Sequence, residues 1–94
     1  MVKGKTKSGI KYQLNEKVKD DARVLYLLVQ MQREEIPVAD KGRYVFDLLE
    51  LMFGKDGVPV FMNEVAVAHK GVCDVPSMLT ELTEMFDALK AKNS

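Results

Sequence analysis

The run Val24-Leu25-Tyr26-Leu27-Leu28-Val29 constrains what this chain can fold into more than any other feature. At helical spacing Val18, Ala22, Leu25 and Val29 form one apolar stripe, and Val24, Leu28 and Met31 form a second beside it, which predicts a helix over residues 19 to 33. A helix that is apolar nearly all round either sits at the centre of a fold or meets a partner on its second side. The chain has 94 residues, enough for one hydrophobic core, so one domain covering residues 1 to 94 is expected. Its 47% hydrophobic and 30% charged residues point to an ordinary globular composition and away from a disordered or fibrous one.

Glu34-Glu35-Ile36-Pro37 ends the first helix, because proline disfavours helical geometry in the residue before it and has no N–H to donate. Asp40 is the expected amino-terminal cap of a second helix. Tyr44, Val45, Leu48, Leu49 and Met52 form its apolar face, Arg43, Asp47 and Glu50 lie opposite, and Gly54 closes it. Pro59 suits the first turn of a short third helix carrying Phe61, Met62, Val65, Ala66 and Ala68 and ending before Gly71, although its valines would also suit a strand. Asp74-Val75-Pro76 opens the last helix. There Val75, Met78, Leu79, Leu82, Met85, Phe86 and Leu89 recur every three or four residues, with Ser77, Glu81, Glu84 and Asp87 on the polar side. Lys90 and Lys92 suit its negative end, and Asn93 and Ser94 are expected to fray. The fold class expected is therefore mainly α, about four helices over residues 19 to 91, preceded by a β-strand or hairpin.

That strand is read over residues 9 to 15, where alternation places Ile10, Tyr12 and Leu14 on one face and Asn15 supplies a cap or turn. Its backbone groups need partners, either from residues 2 to 7 as a hairpin or from another copy or a partner chain added at the edge. Ile10, Tyr12 and Leu14 are thus candidate self-association residues. Residues 1 to 8 are expected to be a flexible basic terminus. Residues 1 to 19 hold six lysines against Glu16 alone, +5, and the remainder of this formally neutral chain carries −5. A lysine-rich end can hold phosphates, but it has no arginine and only Tyr12 to stack on a base, so a solvated end is favoured over nucleic-acid binding.

No apolar run reaches the roughly 20 residues of a bilayer span, and the opening residues show no secretory pattern, so the cytoplasm is the expected compartment. Cys73 stands alone, which removes an internal disulfide. His69 and Cys73 are four apart, but Gly71 interrupts the helix that would align them, and ordinary structural roles are expected. Gly54-Lys55-Asp56-Gly57 lacks the spacing and the Lys-Ser/Thr ending of a phosphate loop. Asp20-Asp21 and Glu34-Glu35 read as solvated charges at helix ends. No catalytic residue, cofactor site or metal site is expected, and the chain should act through protein contacts. The candidate partner-binding residues are Met78, Leu82, Met85 and Phe86, whose methionines make an adaptable apolar face.

The order Ser8-Gly9-Ile10-Lys11-Tyr12-Gln13-Leu14-Asn15, then Asp20-Asp21 opening an apolar helix, resembles the start of the small tail assembly chaperones of long-tailed bacteriophages. Leu48-Leu49-Glu50-Leu51-Met52-Phe53-Gly54 is similar to the Leu-Leu-Leu-Gly that closes that family's second helix. Gly71-Val72-Cys73-Asp74-Val75-Pro76 and Leu82-Thr83-Glu84-Met85-Phe86 resemble its Gly-x-Val-Pro turn and Leu-x-Glu-Ile-Phe final helix. The resemblance spans residues 8 to 89, departing at the extra pair Cys73-Asp74 and at Ile10 in place of an aromatic. It implies a non-enzymatic protein of the infected bacterial cytoplasm, or of a prophage's host. Such a protein binds the tape measure protein, keeps it soluble until tail-tube protein polymerises around it, and is absent from the mature virion. Homo-oligomers are compatible with it. In many such phages a longer product arises by ribosomal slippage, and Ala91-Lys92-Asn93 is compatible with a slippery codon run. Two alternatives remain open: a small helical DNA-binding regulator, which would need a basic recognition helix, and a self-assembling structural protein of the particle.

Overall fold

A computed structural model of the chain describes residues 1 to 92, with Lys92 described in its backbone alone. The order is β1 (Val2–Lys5), β2 (Lys11–Leu14), a 3-10 turn (Glu16–Asp20), α1 (Ala22–Gln32), α2 (Val38–Phe53), α3 (Gly57–Ala68) and α4 (Val75–Lys92). The fold is mainly helical, four helices with a two-stranded antiparallel sheet at the amino end, as the periodicities predict. The expected fraying of Asn93 and Ser94 lies outside the described residues.

The hairpin follows from its turn. Thr6 N–H donates to the Ile10 carbonyl and Gly9 N–H to the Thr6 carbonyl, both at 2.9 Å, and Gly9 takes φ +99°. This is a three-residue connection whose last position is a left-handed bulge that glycine adopts without strain. Val2 pairs with Leu14, Lys3 with Gln13, Gly4 with Tyr12 and Lys5 with Lys11. Residues 1 to 8 are therefore not the flexible terminus the lysines suggest. Alternation turns Val2, Gly4 and Thr6 inward with Ile10, Tyr12 and Leu14, leaving Lys3, Lys5, Lys11 and Gln13 on the outer face. Val2, Thr6, Ile10 and Leu14 are buried.

The helix ends differ in detail from the expected ones. The 3-10 turn takes residues 16 to 20, with the Asn15 side chain accepting from Lys17 N–H, and α1 starts only after Asp21, whose carboxylate accepts from Arg23 N–H. Asp40 does not cap α2: Pro37 does so with its carbonyl, which accepts from Asp40 and Lys41 N–H, leaving Asp40 in the first turn, where a negative charge suits the helix dipole. α2 ends as expected at Gly54, φ +76°, whose N–H donates to the Glu50 carbonyl. α3 is a helix despite its valines and begins at Gly57, two residues before Pro59. Asp74 caps α4, accepting from Ser77 N–H at 2.8 Å.

One core joins these elements. Val24 and Leu27 of α1 pack with Val45, Leu48 and Leu49 of α2, Phe61 and Val65 of α3, five residues of α4, and the inward face of the hairpin. Phe53 and Phe61 stack at 5.0 Å across the α2–α3 joint.

Candidate functional site

The four residues of α4 expected to bind a partner form core instead. Met78, Leu82, Met85 and Phe86 are buried, and with Leu89 they are the strip on which β1, α2 and α3 pack. An amphipathic helix in a chain this short spends its apolar face on its own core, and here the amino-terminal hairpin supplies the last cover.

The hairpin also accounts for an unexpected burial. Glu81, read on the polar side of α4, has no exposed surface, because its spacing from Met78 and Met85 puts it on the margin of the apolar strip where the hairpin turn lies. Thr6 Oγ1 donates to Glu81 Oε1 at 2.9 Å and accepts from Ile10 N–H at 3.1 Å, and Lys7 N–H donates to Glu84 Oε2 at 2.9 Å. His69 Nε2 stands 3.8 Å from the same Glu81 oxygen. It and Glu81 Oε2 are buried with no hydrogen-bond partner among the described residues. This cluster ties the hairpin turn and the end of α3 to α4. The Cys73 thiol is half-buried, and burial, with the Asp74 charge second, raises its pKa, so the nucleophilic thiolate is disfavoured. Asp74 is held below the usual carboxylate range by hydrogen bonding from Ser77. Among the described residues no three His, Cys, Asp or Glu side chains come together as a metal could require.

The apolar surface that α4 lacks is on α1. Val24 and Leu27 face the core, while Leu25, Tyr26 and Val29 are 52%, 59% and 56% exposed on the opposite side, continuous at helical spacing with exposed Ala22. α1 is thus not central: the stripe of Val24, Leu28 and Met31 packs on the core, and the stripe of Ala22, Leu25 and Val29 is unpartnered. Beside it runs an open groove of about 760 Å³ between α1 and α2. Ala22, Tyr26 and Leu27 form one wall, Asp47, Glu50 and Leu51 the other, with Gly54 and Lys55 at the end. Arg23 on its rim is engaged by Asp21, whose carboxyl the guanidinium pulls down to about 2. Asp47 and Glu50 are exposed and have no ion partner among the described residues. The sequence carries this signal in the all-round apolar run from Val24 to Val29, which has more apolar surface than one packed side can bury.

The strand residues divide similarly. Ile10 and Leu14 are core, and Tyr12 is half-buried with its ring lying over Gly4, where an added Cβ would come within 2.6 Å of the ring. Their side chains are not free to make a self-association surface. What β2 leaves open is its backbone edge, since the sheet has two strands and β1 occupies the other side.

No helix is long and apolar enough to cross a membrane among the described residues. No protein family, no curated protein and no solved structure matches this chain.

Proposed function

We propose that this protein is a tail assembly chaperone of a long-tailed bacteriophage or prophage. In this reading it binds the tape measure protein in the host cytoplasm, keeps its apolar helices soluble, and leaves before the virion is complete. It works by protein contacts and not by catalysis. The observation that carries the reading is the outward stripe of Leu25, Tyr26 and Val29 on a helix whose other side is already packed. An exposed apolar stripe next to a groove is the geometry that takes a second amphipathic helix. Asp47 and Glu50 on the far wall suit a partner helix whose apolar stripe is bordered by lysine or arginine. The family resemblance of residues 8 to 89 names the tape measure protein as that partner, with tail-tube protein displacing the chaperone later.

Co-expression with the tape measure protein of the same genome tests this. The native chain should hold the partner soluble and co-purify with it, whereas Leu25→Asp with Val29→Asp should fold normally and leave the partner in the pellet. If native and doubly substituted chains retain equal amounts of soluble partner, α1 is not the binding surface. If neither retains any, the chaperone reading fails.

A further inference from the structure

The hairpin and α3 enclose a second groove. Ser8 to Lys11 face Asn63 to Ala68 across about 420 Å³, and Lys11 to Gln13 face Gly57 to Glu64 across about 250 Å³ more. Lys11 and Glu64 line both stretches, so the groove is continuous, with β2 and α3 running antiparallel along it.

The strand wall presents backbone. Thr6 and Ile10 form the hydrogen-bonded pair that closes the turn, and the two pair types alternate along an antiparallel ladder. Gly4 with Tyr12 and Val2 with Leu14 are then the bonded pairs, whereas Lys11 and Gln13 direct their N–H and C=O groups away from β1. Those groups point to the groove side, and no hydrogen bond to them from α3 is present among the described residues. An unpaired strand edge beside a helix is the arrangement that receives an extended peptide as an added strand.

Charge specifies the peptide. Lys3, Lys5 and Lys11 share the outer face of the hairpin, with Lys5 and Lys11 directly opposite one another in a non-hydrogen-bonded pair, where like charges come closest. None of the three has an ion partner among the described residues. On the helix wall Val60 and Val67 are exposed and Glu64 is the carboxylate. An added strand with acids on the lysine face would relieve the Lys5–Lys11 repulsion, and Glu64 would keep acids off the inner face. We infer that the open edge of β2, walled by α3, binds an extended segment of a partner protein that alternates acidic with apolar residues, as a third strand. This site is separate from the α1 surface and does not depend on the partner proposed there.

Fluorescence anisotropy with a short labelled peptide alternating glutamate and valine tests the inference. The native chain should bind it, more weakly as salt rises, and the same peptide N-methylated at alternate positions should not bind. Gln13→Pro removes an outward N–H that the hairpin ladder does not use and should weaken binding about tenfold or more, while Gln13→Ala should bind as the native chain does. Equal binding of the methylated and unmodified peptides would overturn the inference without requiring any variant to fold. Absence of binding to the native chain would overturn it too. A native dimer that Gln13→Pro dissociates would assign the edge to a second copy of this chain and refute the partner-segment reading.

Discussion

Thr6→Val is a near-isosteric change that tests the junction between the two ends of the chain. The hydroxyl it deletes donates to buried Glu81 at 2.9 Å and accepts from Ile10 N–H at 3.1 Å. Valine fills the same space and satisfies neither group. Glu81 would retain only His69, 3.8 Å away, and its second oxygen already lacks a partner. Losing a hydrogen bond to a buried carboxyl and stranding a buried N–H each cost ~1–3 kcal/mol, so the change should cost about 3 kcal/mol. A domain of this size has roughly 5–10 kcal/mol in all, and at ~4–8 °C per kcal/mol the midpoint should fall by about 12–24 °C. Thermal unfolding followed by circular dichroism measures this. Thr6→Ser, which keeps the hydroxyl, should lose far less. Adding Glu81→Met to Thr6→Val should restore part of the loss, because no carboxyl is then left unpaired. A Thr6→Val midpoint within about 3 °C of native would refute the reasoning and mean that the buried pair is replaced by water.

Leu48, fully buried where α2 meets the rest of the core, should cost ~2–5 kcal/mol as Leu48→Ala, close to the whole margin, in urea titration. Asp21 has a folded pKa lowered from 3.8 to about 2 by Arg23, so its contribution is complete above 3.8 and is lost as pH falls through about 2. Asp21→Asn should therefore flatten that part of the acid limb in denaturation at stepped pH, and an unchanged limb would contradict the pairing. The Cys73 thiol, raised by burial and by Asp74, should react with a disulfide reagent at neutral pH more slowly than free cysteine does, read by absorbance, and faster reaction would show that the thiol is not shielded.

Local signals made the helices legible. Asp74 before Val75-Pro76, Gly54 after Phe53 and the spacing of Val45, Leu48 and Leu49 each act within a few residues, and each is found where it was read. What escaped was decided by contacts far apart in sequence. Glu81 looks like a solvated residue until Thr6, from the opposite end of the chain, lies on it. Met78, Leu82, Met85 and Phe86 form an amphipathic face that is more often core than docking surface, and the packing of β1, α2 and α3 on it makes it core here. Val2 among lysines reads as a charged tail, because a strand with small inward residues has little hydrophobic alternation of its own. The α1 stripe was visible in the run from Val24 to Val29, but which side would remain bare depended on where α2 settled.

The Thr6–Glu81 and Lys7–Glu84 bonds span 75 and 77 residues. During synthesis the hairpin leaves the ribosome well before α4, which carries the surface it covers. Helices α1 to α3 can pair through contacts between sequence neighbours, but β1 meets its helical packing surface only once α4 is out. Until then the chain carries an open strand edge and an apolar hairpin face that α4 has yet to cover, and the contacts that complete the core are among the longest in sequence.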